Sequence, residues 1–288
     1  MEYYVETTPL GTAGSVKSAS QSFQETFLVV SGDALTDIDL TAAIQFHKSR
    51  KAVATLILTS VPNPLSYGVV LTNEDGRIRQ FLEKPSWSQV FSDTVNTGIY
   101  ILEPEVLNMV PPDKQVDFSR DVFPELLSSG APLFGYVAPG YWSDVGSLDA
   151  YRQALQDCLD GKVYLDLPTT QFKGIYLAEG VKLHHNATLE GPIYLGKGSR
   201  VGAGAYLGPY TILGPYCQID RGASLKQSIL WSGVQVGAYS QLRGTICAQN
   251  VRLEPQVELY EGSVLGEKVQ VGTMTTITPK TKVWPAKH

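Results

Sequence analysis

The sequence predicts an α/β protein of two domains, residues 1–163 and 164–288, in which a layered α/β domain precedes a parallel β-helix. Two observations predict this fold class. In the first domain, apolar runs of strand length alternate with segments of helical periodicity, which favours a layered domain with a largely parallel sheet. In the second, an aliphatic residue recurs every six positions, which is typical of a β-helix built from hexapeptide repeats.

The elements of the first domain can be followed along the chain. The Asp75-Gly76 pair between two β-rich runs predicts a hairpin, and Gly161 is a typical helix end. An aspartate near the start of DIDLTAAIQFHKSR suits a helix cap. The predicted strands are TFLVVSGD, AVATLILTSV, the two arms of YGVVLTNEDGRIRQFLEKP, and NTGIYIL. The predicted helices are DIDLTAAIQFHKSR, EPEVLNMV, DVFPELLSS and SLDAYRQALQDCLDG.

The six-residue repeat of the second domain runs from Leu177 to Leu225 without a break. It resumes at Val236 and returns from Leu265 to Val283. A helix cannot produce a period of six, whereas each coil of a parallel β-helix points its aliphatic side chains inward to stack on those of the next coil. Glycine directly after several of these positions permits the sharp corner between sheets.

Composition bounds the class of protein. Hydrophobic residues make up 43% of the 288 residues, charged residues 18%, and the net charge is −5. These values indicate a globular cytoplasmic protein without a broad nucleic-acid surface, and no apolar run resembles a signal peptide or a membrane span. Cys158, Cys217 and Cys247 are far apart, which predicts reduced thiols that are buried or half-buried.

Several polar residues stand where strands of the first domain end. Asp33 follows the TFLVVSGD strand, Asp144 lies in GYWSDVG, and Glu83 and Lys84 end a hairpin strand in FLEKPS. Ligands of open α/β sheets bind at strand ends. The segment ETTPLGTAG predicts a Gly-rich turn near a ligand. Each signal alone has a plainer explanation, such as a helix cap, a solvated lysine or a backbone turn.

Taken together and in this order, the segments ETTPLGTAG, SGD, YGVV, EKP, NTGIYIL and WSDVG ahead of a hexapeptide β-helix resemble the sugar-1-phosphate nucleotidyltransferases. The resemblance covers essentially the whole chain. It is greatest to the mannose-1-phosphate guanylyltransferases (GDP-mannose pyrophosphorylases) of bacteria and cyanobacteria. It implies a Rossmann-like nucleotidyltransferase domain, followed by a left-handed parallel β-helix.

The resemblance also implies a reaction. A nucleotidyl group, GMP from GTP in the mannose branch, passes to a sugar 1-phosphate such as mannose 1-phosphate, and pyrophosphate leaves. Because two anions must meet, Mg²⁺ is the expected cofactor. Asp33 and Asp144 are the implied metal ligands, Lys84 would hold the sugar phosphate, and Glu83 would accept hydrogen bonds from sugar hydroxyls. Further substrate contacts are implied at Glu6, Gly11, Thr12, Ala13 and Gly14 near the base or ribose, and at Gly68, Asn96, Thr97 and Gly98 around the sugar.

One family pattern does not occur in this sequence: the loop GGxGTRLxPLT that cradles the triphosphate. The expectation is therefore an incomplete nucleotidyltransferase domain, as a fragment, a shortened gene product or one piece of a split protein. Such a chain is expected to be inactive without the loop and to leave the sheet edge beside TFLVVSGD open. The base and the sugar stay open at this point.

Two other functions remain as alternatives. The chain could be a non-catalytic scaffold or regulatory subunit that assembles through the β-helix. It could also be a hexapeptide acyltransferase in which His184 or His185 serves as a general base, although exposed corner residues are the favoured interpretation of both. A homo-oligomer formed through the β-helix is expected for the intact protein.

Overall fold

The computed structural model of the chain describes residues 2–20 and 23–286. Its contacts divide the chain into two compact units, Met1–Ala154 and Leu155–His288. The division falls within a helix, and the predicted boundary after residue 163 stays a prediction. Within the described part of the chain, no helix is both long and apolar enough to cross a membrane.

The first unit alternates helices and strands. The helices are α1 (Gly11–Ala19), α2 (Leu40–Arg50), α3 (Phe123–Ser128) and α4 (Leu148–Leu159), the last of which continues into the second unit. The strands are β1 (Phe27–Val30), β2 (Ala34–Thr36), β3 (Ala54–Ser60), β4 (Gly68–Thr72), β5 (Ile78–Glu83), β6 (Thr94–Leu102), β7 (Leu133–Val137) and β8 (Trp142–Asp144). Short turns of 3-10 helix occupy Trp87–Gln89 and Pro104–Met109, and a π-helical turn occupies Phe118–Val122.

The central sheet is mixed, so the prediction of a largely parallel sheet is wrong. Its order is β5-β4-β6-β3-β7, and β1 also pairs with β6. Strand β6 runs antiparallel to β1, β3 and β4, while β3 and β7 run parallel. Apolar patterning reports burial on both faces but carries no information on strand direction, which explains the error. Among the described residues, β1 is paired along one edge, by β6.

Helix α2 confirms the predicted cap. Oδ1 of Asp39 accepts hydrogen bonds from the backbone N–H groups of Thr41 and Ala42, at 2.9 and 3.1 Å. Two of the donors that a helix start leaves unpaired are thereby satisfied. Lys51 caps the C-terminal end of the helix in a left-handed conformation with φ 48°.

The PLGTAG segment is not the simple turn that the sequence suggests, because it forms the first turns of α1. Gly11 opens the helix with φ +71°, a conformation that glycine adopts without steric cost. A Cβ atom there would lie 2.6 Å from the Val116 carbonyl oxygen, and one on Gly14 would lie 2.7 Å from that of Lys114. Both glycines therefore serve the close packing of α1 against the segment 114–117.

An aromatic cluster forms part of the core beneath this contact. The rings of Phe118 and Phe123 stack with centroids 5.6 Å apart, and Tyr100 meets Phe123 edge-on at 4.8 Å. Phe118 and Phe123 are fully buried, and Ala13 of α1 packs into the same cluster. The segment around Phe118 is thus held both by the burial of its aromatic ring and by its contact with α1.

The second unit confirms the β-helix. Its strands form three parallel ladders, apart from the first strand, Thr170–Phe172, which runs antiparallel to its neighbour. The first ladder comprises Thr170–Phe172, Ile175–Leu177, Ile193–Leu195, Thr211–Leu213, Ile229–Leu230, Ile246–Cys247, Val264–Leu265 and Lys282–Val283. The second comprises Lys182–Leu183, Arg200–Val201, Gln218–Ile219, Gln235–Val236, Arg252–Leu253 and Gln270–Val271. The third comprises Thr188–Leu189, Tyr206–Leu207, Ser224–Lys226, Gln241–Arg243, Glu258–Leu259 and Thr276–Ile277.

The interrupted part of the repeat is regular in three dimensions. Leu230 follows Leu225 after five positions instead of six, yet it pairs in register with Leu213. Cys247 follows Leu242 at the same shortened interval and pairs with Leu230. Each shortened corner shifts the sequence period by one residue while the inward stack continues, which is why the repeat looks broken in the sequence.

The buried thiols also agree with the prediction. Cys217 and Cys247 are buried in the β-helix, and Cys158 is half-buried. Burial raises the pKa of Cys217 to about 11 and that of Cys247 to about 12. Both stay protonated at neutral pH and behave as small apolar side chains.

The inward stack generates a test of the register. Leu207→Asp would place a carboxylate in the interior of the β-helix, where Leu207 is fully buried. We expect a loss of about 3–5 kcal/mol in the free energy of unfolding of the second unit, because the buried charge has no partner. Thermal and urea unfolding measure this loss. The matched control is Gln218→Asp at an exposed position, and equal stability of the two variants would contradict the assigned register.

Candidate functional site

A two-stranded ribbon brings together two aspartates that are far apart in the sequence. Strands β2 and β8 pair antiparallel, with Ala34 opposite Asp144. The backbone N–H of Val145 donates to the carbonyl oxygen of Asp33 at 2.9 Å. Asp33 and Asp144 therefore leave neighbouring strand ends at the same side of the unit, and both line one pocket.

This pocket, of about 190 Å³, collects most of the residues that the sequence singles out. Its lining is acidic or uncharged throughout. The lining residues are Ser31, Asp33, Ala34, Ser66, Tyr67, Gly68, Glu83, Asn96, Thr97, Gly98, Ser119, Trp142 and Asp144. Of the predicted set, Asp33, Gly68, Glu83, Asn96, Thr97, Gly98 and Asp144 meet there.

Strand β6 supplies the floor of the pocket with side chains that are already hydrogen-bonded. Oδ1 of Asn96 accepts from the N–H of Gly98 at 3.0 Å, and its Nδ2 donates to the hydroxyl of Tyr100 at 3.0 Å. Thr97 donates its hydroxyl proton to the carbonyl oxygen of Ile57 at 2.8 Å. Both polar residues are nearly inaccessible, so they shape the pocket through rigid backbone as much as through free side-chain groups.

An aromatic pair forms one wall. The indole N–H of Trp142 donates to the carbonyl oxygen of Thr97 at 3.0 Å. The ring of Tyr67 meets Trp142 edge-on, with centroids 5.4 Å apart. Burial, with a smaller contribution from the charge of Asp144, raises the pKa of Tyr67. The Trp142 bond ties the strand that carries Asp144 to the floor of the pocket.

Glu83 lies at the opposite wall, at the end of β5. It pairs with Gly68 of β4, where a Cβ atom would lie 2.7 Å from the carboxylate Oε2. Burial raises the pKa of Glu83; Lys84 opposes this rise, Asp117 adds to it, and Arg120 opposes it. The glycine therefore leaves the room that a half-buried carboxylate occupies.

Lys84 follows directly but does not belong to the lining of the pocket. Its backbone adopts a left-handed conformation with φ 47°, and its N–H donates to the carbonyl oxygen of Tyr67 at 3.0 Å. A residue other than glycine in this conformation is uncommon and is a candidate for a functional constraint. The side chain is exposed beside the pocket that Tyr67 and Glu83 line.

The remaining predicted contacts lie on and before α1, outside the lining of the pocket. Glu6 accepts a hydrogen bond from the N–H of Leu10 at 3.1 Å, and hydrogen bonds from Ser15 and then Leu10 lower its pKa. Gly11 and Gly14 pack on the segment 114–117. The structure does not bring Glu6, Gly11, Thr12, Ala13 or Gly14 together with Asp33 and Asp144 in one pocket.

The carboxylate pair can be tested for its fit to Mg²⁺. Among residues 2–20 and 23–286, no group of three or more His, Cys, Asp or Glu side chains is placed to hold a metal ion. Asp33 and Asp144 offer two carboxylates at one pocket, and a Ser31 hydroxyl orients the first by donating to its Oδ1. Mg²⁺ often takes one or two carboxylates and completes its octahedron with water and substrate phosphates. The donor set therefore fits Mg²⁺.

The histidines of the β-helix lie elsewhere, at an exposed corner. Nδ1 of His184 lies 2.6 Å from Oδ1 of Asn186, which also accepts a hydrogen bond from the N–H of Gly204 at 2.9 Å. The rings of His184 and His185 lie 4.3 Å apart. Both histidines are exposed at a turn, which agrees with their interpretation as surface residues of the coil.

Sequence reasoning missed several lining residues, notably Ser31, Ser66, Tyr67, Ser119 and Trp142. Most of them adjoin a residue that was predicted. Tyr67 precedes Gly68, and Trp142 lies two residues before Asp144 on the same strand. Extending each motif by two positions would have found them, whereas Ser119 has no such signal because it enters from a separate segment.

Comparisons with known proteins find matches to both parts of the chain. Residues 1–161 match the family model described as nucleotidyl transferase, and residues 172–277 match the model described as the EIF2B subunit epsilon LbH domain. A UTP–glucose-1-phosphate uridylyltransferase of Synechocystis is 36% identical over 81% of this chain and 62% of its own length. A mannose-1-phosphate guanylyltransferase of Mycobacterium tuberculosis is 32% identical over 70% of this chain and 56% of its own length. A probable mannose-1-phosphate guanylyltransferase 3 of rice is 30% identical over 93% of this chain and 71% of its own length. The match thus spans less than two thirds of the first two relatives.

The burial of Glu83 generates a prediction with a defined sign. Because its pKa is raised in the folded state, the folded protein holds this proton more tightly than the unfolded chain does. Ionisation of Glu83 therefore destabilises the fold as the pH rises through and above its ordinary pKa of 4.5. At pH 7, Glu83→Gln should be more stable than the parent by at most about 1 kcal/mol, because water screens a half-exposed carboxylate.

Thermal unfolding at a series of pH values measures this difference. We expect the advantage of Glu83→Gln to shrink as the pH falls towards 4.5 and to be gone below it, where Glu83 is protonated in both the folded and the unfolded parent. The matched control is Glu74→Gln, which removes an exposed carboxylate in the β4–β5 turn. A Glu83→Gln variant that is less stable than the parent at pH 7 would show that the carboxylate is held by favourable charge pairs.

Proposed function

This chain belongs to the sugar-1-phosphate nucleotidyltransferase family, and we propose that its pocket binds the sugar 1-phosphate and the metal for nucleotidyl transfer. The products would be a nucleotide-sugar and pyrophosphate. The proposed substrates are GTP and mannose 1-phosphate, since two of the relatives described above are named mannose-1-phosphate guanylyltransferases. UTP and glucose 1-phosphate form the second pair to assay, because of the Synechocystis relative.

One observation carries the proposal: the pocket joins two carboxylates from the β2–β8 ribbon to a sugar-sized cleft floored by β6. A catalyst of this class needs a place for a divalent cation beside a place for polyhydroxylated substrate. The carboxylates Asp33 and Asp144 suit the first need, and Glu83 suits the second as an acceptor for sugar hydroxyls. Neither the acyltransferase nor the scaffold alternative requires a pair of carboxylates beside a sugar-sized cleft.

Roles can be assigned within this site. Asp33 and Asp144 would hold Mg²⁺, which when bound supplies charge neutralisation for the approaching phosphates. Glu83 would accept hydrogen bonds from the sugar, against the backbone of Asn96–Gly98 and Gly68. Lys84 would reach the phosphate of the sugar 1-phosphate from beside the pocket, as a compact cation.

The nucleotide would approach from the side of α1. We propose contacts to the base or ribose from Glu6 and from the backbone at the start of α1, at Gly11 and Thr12, while the buried Ala13 and Gly14 hold this start against the segment 114–117. Their support is the family resemblance alone, because they lie outside the pocket lining. Glu6 and Thr12 are exposed.

A non-catalytic role has one observation in its favour. The pocket lining contains no lysine or arginine, so the lining itself offers no cation to a triphosphate. We therefore propose that the 288-residue chain by itself binds sugar phosphate but does not turn over nucleoside triphosphate at an enzymatic rate. Assembly through the β-helix into a homo-oligomer would be common to the catalytic and the scaffold roles, and sedimentation measures it.

The decisive experiment assays this chain alone and the same chain with a GGxGTRL segment of a family member fused ahead of Tyr3. GTP with mannose 1-phosphate and UTP with glucose 1-phosphate are tested in turn, with Mg²⁺. We expect nucleotide-sugar from the fused form, at a rate on the order of 1 s⁻¹ or more, and little from the chain alone. Fast turnover by the chain alone would refute its proposed inactivity. Absence of both turnover and sugar-phosphate binding in both forms would refute the proposed function.

The carboxylate pair is tested in the form that shows turnover. Asp33→Asn and Asp144→Asn should each lower turnover by orders of magnitude, because each removes one charge from the Mg²⁺ site while keeping the shape. Asp166→Asn, at an exposed position of the second unit, is the matched control. Near-normal turnover in either pocket variant would remove that carboxylate from the site.

Lys84 generates a prediction about affinity. Lys84→Ala should weaken binding of mannose 1-phosphate by about 1.5–3 kcal/mol, the typical loss for a hydrogen bond to a charged group. Lys84→Arg should restore binding only in part, since the guanidinium fork differs in geometry from an ammonium. Isothermal titration measures both variants. Lys51→Ala is the control, because Lys51 is exposed and has nearly the same left-handed backbone but lies at the end of α2.

A further inference from the structure

A second network links α1 to the wall of the pocket. The N–H groups of Ala13 and Gly14 both donate to the carbonyl oxygen of Val116, at 3.0 and 3.2 Å, and the N–H of Val116 donates to the carbonyl oxygen of Leu10 at 2.9 Å. These bonds are possible because glycines at positions 11 and 14 let the two backbones approach closely. The first turn of α1 thus holds the segment 114–117 in place.

Thr12 extends this contact through its side chain. Its hydroxyl donates to Oδ2 of Asp117 at 2.9 Å and accepts a hydrogen bond from the N–H of Phe118 at 3.0 Å. The other oxygen of Asp117 accepts from the N–H groups of Ser119 and Arg120, at 2.9 and 3.1 Å. One carboxylate therefore connects Thr12 to the turn that begins at Phe118.

That turn delivers Ser119 to the pocket. The hydroxyl oxygen of Ser119 lies 3.3 Å from Nδ2 of Asn96, which donates to it, and the side chain lines the wall beside Glu83. A hydroxyl has one proton and two lone pairs; because Ser119 also hydrogen-bonds to the hydroxyl of Tyr100, it keeps one lone pair that can accept from a ligand. Burial of Phe118 beneath it leaves the turn little freedom to move.

We propose that Ser119 contacts a hydroxyl group of the bound sugar and that Thr12 is a positioning residue that holds Ser119 there through Asp117. The inference rests on the proposed function and adds a specificity contact to the same site. In this arrangement, the first turn of α1 affects sugar binding across the segment 116–119. The effect of the Thr12 side chain on nucleotide binding is then smaller than its effect on sugar binding.

The contact of Ser119 is tested with sugar phosphates that lack one hydroxyl. Affinities for mannose 1-phosphate and its 2-, 4- and 6-deoxy forms are measured by titration calorimetry with the parent chain and with Ser119→Ala. We expect Ser119→Ala to weaken mannose 1-phosphate binding about three- to tenfold, the loss of one hydrogen bond. For one deoxy analogue, the parent and the variant should bind equally, because the partner hydroxyl is already missing.

The positioning role is tested with Thr12→Val and Thr12→Ser in the full chain without ligand. Hydrogen exchange of the amides of residues 118–120 should accelerate in Thr12→Val, which removes the hydroxyl, and should stay near the parent rate in Thr12→Ser, which keeps it. Sugar-phosphate affinity should follow the same order. The matched control is Ser18→Ala on α1, whose hydroxyl bonds to the carbonyl oxygen of Ser15 away from this contact.

The outcomes separate this inference from the proposed function. A parent chain that binds no sugar phosphate would overturn both. If the parent binds mannose 1-phosphate and Ser119→Ala binds it and every deoxy analogue with the same affinity as the parent, the Ser119 contact alone is overturned. Unchanged exchange and affinity in Thr12→Val would overturn the positioning role, and so would a loss confined to nucleotide affinity, which would place Thr12 at the nucleotide instead.

Discussion

The pairing of β6 on both of its edges is the constraint on which the site depends. Residues of its second half pair with β1 on one side and β3 on the other, while Val95 in its first half pairs with Val69 of β4. The strand therefore determines the position of Ser31, directly after β1, because the N–H of Ser31 donates to the carbonyl oxygen of Gly98 at 3.2 Å. The same short stretch receives the indole bond of Trp142 through Thr97. Carboxylates from distant parts of the chain meet because each is anchored to this one strand.

The electrostatics of the pocket follow from this crowding of acidic groups. Glu83, Asp33 and Asp144 share a lining that contains no cationic side chain, and burial already raises the pKa of Glu83. Such a pocket is better matched to cations and hydroxyl donors than to a bare phosphate. A phosphate can bind at its edge only with a metal ion or with cations from outside the lining, and Lys84 and Arg120 both lie close enough to affect Glu83. This is the physical reason for assigning the sugar to the cleft and its phosphate to the rim.

Much of this was available from the sequence where the cause was local. Asp39 caps α2 because a carboxylate can reach the N–H groups two and three residues on, and the β-helix period follows from the stacking of neighbouring coils. The direction of β6 was not available, because alternating apolar residues describe a buried strand of either direction. Ser119 was not available either, because its position depends on Asp117 and Thr12, more than a hundred residues apart in the chain. The inward positions of Leu230 and Cys247 could not be predicted from a six-residue period for a similar reason. Pairing with the previous coil, and not spacing along the chain, determines which residue points inward.

The polar side chains on the floor of the pocket are already hydrogen-bonded, and this limits how the proposed site can recognise a sugar. Thr97 has donated its proton to Ile57, Asn96 is engaged with Gly98 and Tyr100, and Ser31 donates to Asp33. A network of this kind is rigid, since moving any member would leave a buried polar group without a partner. In the proposed site, recognition would then depend on the groups at the walls, among them the carboxylate of Glu83 and the hydroxyl of Ser119. Because these two stand on different segments, β5 and the turn after Asp117, a change of sugar preference within this fold requires only that one wall be replaced while the floor formed by β6 is kept.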